Sequence, residues 1–200
     1  MSSFEELKSM IDPEFKEYIN GEWVDAIDGK TVAVTCPHNQ QVISVCANGN
    51  EKDTDAAVAA AKAAFPAWRD TPMMERAKML YRLADAIDDH SELITWAQAL
   101  EVGTNPPIDC TTLSDNFRYY ASLGVSGDGK AHNVRPDRYY MELHQPLGVC
   151  GLISAWNIPF GLFSMKVGAA LITGNTVVYR PSTETPLDAL IFAKLSQDIL

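Results

Sequence analysis

The stretch of sequence that most constrains the fold is residues 145–186, QPLGVCGLISAWNIPFGLFSMKVGAALITGNTVVYRPSTETP. Apolar runs in it alternate with turn residues and predict a strand at 147–155, a helix at 160–172, a second strand at 176–179 and a helix that starts at Thr185 and Pro186. The first strand lacks polar alternation, which is typical of a strand buried on both faces of a parallel sheet. These residues therefore predict a βαβα unit with a parallel sheet and a right-handed crossover.

The residues before this unit predict a small antiparallel β segment followed by helices. Asn20 and Gly21 are the strongest turn signal and predict a hairpin over 18–24. Further strands are expected at 31–35, 41–46 and 139–143, and helices at 53–65, from Thr71 onward, at 91–101, at 109–123 and from 187 to about 199. Pro66 is expected to end the first of these helices. Residues 1–15 are expected to form a loose arm with at most one helical turn.

The second of these helices has a clear apolar face. Its predicted core residues are Ala77, Leu80, Leu83, Ala84 and Ile87. After the third helix, Asn105, Pro106 and Pro107 rule out helical structure.

Composition excludes several classes of function. The net charge is -10 and the basic residues are scattered, so nucleic acid is not expected as a partner. The longest apolar run, 160–172, contains Lys166 and is too short to span a bilayer, so no membrane partner is expected. The four histidines are isolated from one another and from the cysteines, so no metal site is expected.

The cysteines indicate a compartment. Cys36, Cys46, Cys110 and Cys150 are far apart and form no C-x-x-C pair. They are typical of reduced thiols in a cytoplasmic protein, and the acidic start of the chain does not resemble a signal or transit peptide. Cys150 is expected to be buried in a strand and unreactive, and Cys110 could be mildly activated at a helix start.

A parallel sheet of two strands is not stable alone, and the chain leaves no residues for more strands after 176–179. The sequence therefore predicts the front part of a larger α/β protein.

Several segments, taken in order, resemble one known family. INGEWVDAIDGKT at 19–31 resembles an opening hairpin, and DAAVAAAKAAFPAW, ERAKMLYRLADAI and RYYASLG resemble three helices of the NAD(P)-dependent aldehyde dehydrogenases. QPLGVCGLISAWNIPF, GNTVV and TPL resemble the most specific signature in the front half of that family. The resemblance runs from about residue 18 to 200 and identifies the chain as similar to the N-terminal part of an aldehyde dehydrogenase.

The resemblance implies a fold and a reaction. The fold is an incomplete doubly wound parallel-sheet, or Rossmann-like, cofactor domain. Its expected parts are an arm at 1–17, the front of the cofactor domain at 18–138, a strand of an oligomerisation arm at 139–144 and a truncated βαβα cofactor unit at 145–200. The family oxidises an aldehyde to a carboxylic acid through a thiohemiacetal and thioester on a cysteine, with NAD or NADP as hydride acceptor. It is implied to form a homo-oligomer, a dimer or tetramer.

Asn157 is the main catalytic candidate. It follows a predicted strand at the carboxyl edge of the sheet, where ligands bind in α/β folds. The resemblance implies that its amide donates to the oxyanion formed when the cysteine attacks the aldehyde, although a turn asparagine before Ile158 and Pro159 would explain it as well. The motifs of the catalytic cysteine and glutamate lie in the family's second half and are absent here, so this chain alone is expected to be inactive.

The resemblance also implies a set of cofactor contacts. Ile153, Ser154, Ala155 and Trp156 would border the nicotinamide side, and Arg180, Ser182 and Thr183 would face the adenosine side. Arg180 departs from the family's usual lysine, and Thr183 replaces a frequent glutamate. Because a guanidinium matches a phosphate better than a diol, both changes favour NADP at least as much as NAD.

Three alternatives remain open at this stage. Glu184 could turn toward the ribose and restore a preference for NAD. Lys166 is only a weak cofactor candidate, because a lysine that extends along an apolar helix to water is as plausible. The chain could also be a non-catalytic module that binds nucleotide or another subunit, or a translation product that does not fold stably.

Overall fold

The structure, a computed structural model, describes residues 4–104, 111–127 and 129–200. The helices are α1 (Phe4–Lys8), α2 (Glu51–Asp70), α3 (Met73–Asp89), α4 (Ser91–Val102), α5 (Thr111–Val125), α6 (Pro159–Ile172) and α7 (Leu187–Ser196). The strands are β1 (Glu14–Phe15), β2 (Glu17–Ile19), β3 (Glu22–Val24), β4 (Thr31–Thr35), β5 (Val42–Ala47), β6 (Ala131–Arg135), β7 (Arg138–Met141), β8 (Val149–Ile153) and β9 (Thr176–Arg180).

The predicted βαβα unit is present. Strands β8 and β9 pair in parallel from Val149 opposite Thr176 to Ile153 opposite Arg180, and α6 connects them. Gly174 ends the connection with a positive φ of 84°, a backbone conformation that glycine adopts without steric cost. The chain is thus of the mixed α/β class, as the sequence predicted.

The prediction that the first strand is buried on both faces was wrong. Gly151 and Ile153 are exposed, and the other residues of β8 are only half-buried. Among the described strands, β8 pairs with β9 alone, so one of its edges is unpaired and little of its surface is covered. Cys150 is accordingly half-buried rather than enclosed.

The N-terminal β segment forms as predicted, but the arm before it is not loose. Asn20 and Gly21 have φ of 54° and 80° and turn the chain from β2 into β3. Strand β1 pairs in parallel with β5, which pairs antiparallel with β4. Leu7, Ile11 and Phe15 are buried in the main core because these apolar side chains gain cover there.

Helix α2 continues through Pro66 to Asp70, so the predicted end at Pro66 was wrong. The last turn is held by contacts that the local sequence does not reveal. The indole Nε1 of Trp68 donates to the Leu171 carbonyl at 3.2 Å, and the Thr71 hydroxyl donates to the Ala67 carbonyl at 2.9 Å. These tertiary and capping contacts offset the missing N–H of the proline.

The core lies where α3, α5, α6 and α7 meet. The predicted apolar stripe of α3 is buried from end to end: Ala77, Leu80, Leu83, Ala84 and Ile87. Phe117 of α5 stacks on Phe192 of α7 with ring centroids 5.4 Å apart, and Phe163 of α6 meets the same ring at 4.5 Å. The core therefore fixes α6 and α7, which follow the ends of β8 and β9.

A buried arginine joins the ends of two helices. Arg76 of α3 is 6% exposed. Its guanidinium donates to the carbonyl oxygens of Trp68, Arg69 and Thr71 at the end of α2, and to that of Ile172 at the end of α6. It thereby supplies donors to carbonyls that helix ends leave without intrahelical partners.

Strands β6 and β7 form an antiparallel hairpin whose residues are all exposed. The sequence predicted a strand at 139–143 but not its partner β6. The predictions for Asn105–Pro107 and Cys110 lie outside the described residues. None of the helices in the described part of the chain is long and apolar enough to cross a membrane.

Candidate functional site

The carboxyl ends of β8 and β9 bring two loops together. Ile153 and Arg180 are opposite each other at the end of the ladder, and the Ser154 N–H donates to the Arg180 carbonyl at 3.3 Å. The loop after β8 leads into α6, and the loop after β9 leads into α7. The hydroxyl of Thr185 donates to the Trp156 carbonyl at 3.4 Å and links the two loops. This edge is where open parallel sheets bind their ligands.

Asn157 lies in the first loop, in the bend before α6. It is exposed, and its side chain makes no hydrogen bond to any residue that the structure describes. The amide therefore has no hydrogen-bond partner among the described residues. Pro159, the first residue of α6, is buried and fixes the start of the helix.

The four candidates on the nicotinamide side have different surroundings. Ile153, Ala155 and Trp156 are exposed, and the indole of Trp156 is 56% accessible. Ser154 is buried, and its hydroxyl bonds to the phenol of Tyr179. Burial and, to a lesser extent, nearby carboxylates raise the pKa of the Tyr179 phenol, although the Ser154 hydrogen bond lowers it. Ser154 thus contributes packing and backbone to the edge rather than a free hydroxyl.

The second loop brings its candidates close together. Arg180 and Thr183 are exposed and Ser182 is half-buried. The Ser182 hydroxyl donates to a Glu184 carboxylate oxygen at 2.6 Å. This bond, with a smaller contribution from the charge of Arg180, holds the pKa of the Glu184 carboxyl below its usual range. Glu184 is therefore an anion fixed to its own loop, within the electrostatic reach of the arginine.

An open groove of ≈ 540 Å³ extends from these loops toward the N-terminal β segment. Trp156 and residues 183–185 form one wall, and β4 with the turn after it forms the other. Glu101 of α4 lies in its lining. The groove leaves room beside the edge for the apolar and polar parts of a ligand.

The sequence did not predict that Lys166 contacts the end of β8. Its ammonium donates to the carbonyl oxygen of Ile153, the last residue of β8. The signal was its spacing, two helical turns after Pro159, which places it on the face of α6 toward the strand end. The lysine thus holds the strand end next to Asn157.

The sequence also did not predict a buried pair of carboxyl groups, Glu101 of α4 and Asp188 of α7. Both are almost fully buried, at 4% and 1% exposure. The Leu187 N–H, at the start of α7, donates to Glu101 Oε2 at 3.0 Å. Each carboxyl residue lies next to apolar residues in its helix, Leu100 and Val102 beside Glu101 and Leu187 and Ala189 beside Asp188, and this was the signal in the sequence.

The three cysteines that the structure describes, Cys36, Cys46 and Cys150, are buried or lie within a strand. Cys36 and Cys46 are 3% and 2% exposed, and burial, with a smaller effect of Glu101, raises the pKa of the Cys46 thiol to about 12. Cys150 lies in the middle of β8, opposite Val177. Among the described cysteines, none is an exposed thiolate next to Asn157.

Two parallel strands joined by a helix, with loops and an open groove at their carboxyl ends, are the arrangement found in doubly wound α/β domains. The family model described as "Aldehyde dehydrogenase family" matches residues 23–199. The chain belongs to the aldehyde dehydrogenase family, as the sequence motifs predicted.

Relatives and solved structures agree with this assignment. An aldehyde dehydrogenase of Alternaria alternata is 39% identical over 186 residues, which are 90% of this chain and 37% of that protein. An NAD+ complex of aldehyde dehydrogenase from Bacillus cereus has a TM-score of 0.90 at 36% identity and covers 100% of this chain and 42% of that one. A 3,6-anhydro-L-galactose dehydrogenase in complex with NAP, the dinucleotide NADP, has a TM-score of 0.86 at 28% identity and covers 93% of this chain and 40% of that one. The chain thus spans about two fifths of the relatives that it matches.

Proposed function

We propose that the chain forms the cofactor side and the oxyanion side of a site that oxidises an aldehyde to a carboxylic acid with NAD(P). The observation that supports this most directly is the free, exposed amide of Asn157 at the carboxyl edge of the parallel strands. The nicotinamide cofactor, when bound, accepts the hydride. Arg180 and Thr183 would hold its adenosine side, and Ile153 and Trp156 would border its nicotinamide side.

In this proposal Asn157 stabilises negative charge on the aldehyde oxygen. A fixed neutral donor is worth ~3–4 kcal/mol in a transition state of this kind. Lys166 would keep the end of β8 in place through the Ile153 carbonyl, so that the amide is positioned before substrate arrives. The cysteine nucleophile and the glutamate base would come from residues outside this sequence.

The proposal is tested with two proteins. One is the 200-residue chain, and the other, called here the joined enzyme, is this chain followed by the remaining C-terminal part of the Bacillus cereus relative. Aldehyde-dependent formation of the reduced cofactor is measured by absorbance. We expect turnover by the joined enzyme and none by the chain alone. Cysteine-dependent turnover by the chain alone, or none by a folded joined enzyme, would contradict the proposal.

A finer proposal concerns the cofactor. We propose that NADP binds at least as well as NAD, because Arg180 is exposed and Thr183 occupies a position where the family frequently has a glutamate. The Ser182 hydrogen bond holds the only acidic side chain of this loop, Glu184, within the loop itself. A 2′-phosphate would then meet the guanidinium fork, which suits it in shape and charge.

Replacement of Arg180 with alanine is expected to weaken NADP binding by about 10- to 100-fold and to change NAD binding little, since a charged hydrogen bond is worth about 1.5–3 kcal/mol. Fluorescence titration of the joined enzyme with each cofactor measures this. Arg69→Ala, which removes an exposed arginine side chain at the end of α2, is the matched control. A wild-type protein that binds NAD far more tightly than NADP would refute the preference.

The exposed hairpin supports a second role in assembly. We propose that β6 and β7, with residues 139–144, belong to an oligomerisation arm and that the protein forms a homo-oligomer, a dimer or tetramer. Val134, Tyr139 and Met141 are each more than 60% exposed, which is a large apolar surface for one hairpin. A module that only binds nucleotide or another subunit remains the alternative to the enzyme.

Light scattering should show a lower mass for the Tyr139→Asp and Met141→Asp double variant than for the wild type. If the wild type and the double variant are both monomers, the proposal of an oligomerisation arm is refuted.

The division into an arm at 1–17, a front part at 18–138 and the βαβα unit at 145–200 stays a prediction. We also propose a cytoplasmic location, which the free thiols of Cys36, Cys46 and Cys150 support.

A further inference from the structure

The strongest unexplained feature of the molecule is the buried pair of Glu101 and Asp188. Glu101 Oε2 accepts from the Leu187 N–H at 3.0 Å. Glu101 Oε1 and both oxygens of Asp188 have no hydrogen-bond partner among the residues that the structure describes. Two carboxylates enclosed in this way would be a high-energy arrangement, since each buried charge needs a partner.

No cation of the described residues compensates the pair, because no lysine, arginine or histidine contributes to the pKa of either carboxyl group. The titratable groups that face the pair are the Cys46 thiol of β5 and the Tyr179 phenol of β9, and the carboxyl groups raise the pKa of both. Strand β4, which packs on α4, has no ionisable residue.

The charged groups on the remaining elements that pack on α4 and α7 are engaged elsewhere or lie on the surface. The cations are Lys166 of α6 on the Ile153 carbonyl, Arg76 of α3 on four carbonyls, Arg82 of α3 on the Asp198 carbonyl, Lys194 of α7 on Asp12, Lys78 of α3 on Glu75, and Lys8 of α1. The other acids are Glu17 of β2 beside Asp53, Asp85 and Asp88 of α3 on Arg118, the exposed Asp89 of α3 and Glu92 of α4, and Glu5 and Glu6 of α1. The pair therefore depends on its own protons and on backbone N–H groups.

Those N–H groups belong to two helix starts. Glu101 binds the first turn of α7 at Leu187. The Phe160 N–H, in the first turn of α6, lowers the pKa of Asp188, although it makes no hydrogen bond to that carboxyl group. Helix N-termini favour negative charge and can stabilise one carboxylate. Helix α6 follows the loop of Asn157, and α7 follows the loop of Thr183, so the pair lies behind both loops of the site.

We propose that Glu101 and Asp188 share one proton near neutral pH, and that this protonated pair joins the starts of α6 and α7 and thereby positions the two loops of the site. A carboxyl O–H of one residue donating to the carboxylate of the other would provide partners for oxygens that otherwise have none. When the proton is lost, two negative charges repel each other in the interior, and the connection between the starts of α6 and α7 weakens. The inference does not depend on the proposed aldehyde oxidation.

The direction of the pH dependence follows from linkage. Burial, with the charge of Asp188 as the second cause, raises the pKa of Glu101 well above its ordinary value, and burial raises that of Asp188 to about 8. The folded pair then holds a proton that the unfolded chain has already released above about pH 4. This stabilisation is complete below about pH 4 and is lost as the pH rises to about 8. The unfolding equilibrium constant should increase by up to about tenfold per pH unit in this window.

The test is denaturant unfolding of the 200-residue chain between about pH 5 and about pH 9. Asp188→Asn removes one titrating group and supplies an amide donor to Glu101, so its stability should decline less steeply with pH than that of the wild type. Asp89→Asn, which changes an exposed aspartate at the end of α3, should follow the wild type. Infrared spectra should contain the C=O band of a protonated carboxyl group in the wild type near pH 7, and this band should be weaker in Asp188→Asn.

A second variant keeps the test decisive if Asp188→Asn does not fold. Glu101→Gln retains an oxygen for the Leu187 N–H and imitates the protonated acid, so it should keep the amide of Leu187 protected from hydrogen exchange above about pH 8 while the wild type loses protection. An equal pH slope in the wild type and both variants would overturn the proposal. So would the absence of the infrared band together with stabilisation by added potassium or calcium, since the pair would then hold a cation.

Discussion

Replacement of Arg76 with methionine is expected to lower the free energy of unfolding by about 2–4 kcal/mol. Methionine fills a similar volume but donates no hydrogen bond, so the carbonyls of Arg69, Thr71 and Ile172 lose a donor in a region that water reaches poorly. A buried acceptor without a partner costs about 1–3 kcal/mol, and the released desolvation of the guanidinium offsets part of the sum. Denaturant unfolding monitored by circular dichroism measures the loss.

Two further variants separate the causes. Arg76→Lys keeps the charge, but a single ammonium cannot reach the ends of α2 and α6 together, so an intermediate loss is expected. Arg82→Met, on the exposed face of the same helix, removes only a 3.0 Å bond to the Asp198 carbonyl and should cost less than about 1 kcal/mol. If Arg76→Met is no more destabilising than Arg82→Met, Arg76 does not hold the two helix ends together.

The fold could be predicted from local patterns wherever one element decides its own structure. The Asn20-Gly21 turn, the apolar stripe of α3 and the alternation of β8, α6 and β9 each follow from backbone and burial rules, and each is present. Pro66 was misjudged because its helix end is stabilised by Trp68 and Leu171, which are far apart in sequence. The burial of Leu7 and Phe15 likewise depends on a core that only the folded chain contains.

For the candidate site, the sequence indicated which loops carry the candidate residues but not the contacts of their side chains. The resemblance indicated Asn157 and Arg180, and the parallel register explains why their loops meet. The Ser182–Glu184 bond and the Lys166 contact could not be inferred, because side-chain direction depends on rotamers that periodicity does not specify. Glu101 is 86 positions before Leu187, the residue that precedes Asp188, so no local sequence pattern connects the two carboxyl groups.

In the joined enzyme, Asn157→Ala is expected to lower kcat by about 10²- to 10³-fold, or ~3–4 kcal/mol of transition-state stabilisation. The proposed amide donates to the oxyanion and to no described residue of the free protein, so its loss should fall on the chemical step. The affinity for the cofactor and the free energy of unfolding should change little, which distinguishes a lost donor from a damaged fold.

The matched control for this prediction is Asn48→Ala, which removes an exposed asparagine after β5 and should leave kcat unchanged. Asn157→Asp tests the charge: a carboxylate of almost the same shape faces the developing oxyanion and should reduce kcat at least as much as alanine does. A loss of less than about tenfold in Asn157→Ala, with unfolding and cofactor binding intact, would show that the amide is a turn residue and that the oxyanion is stabilised by other donors.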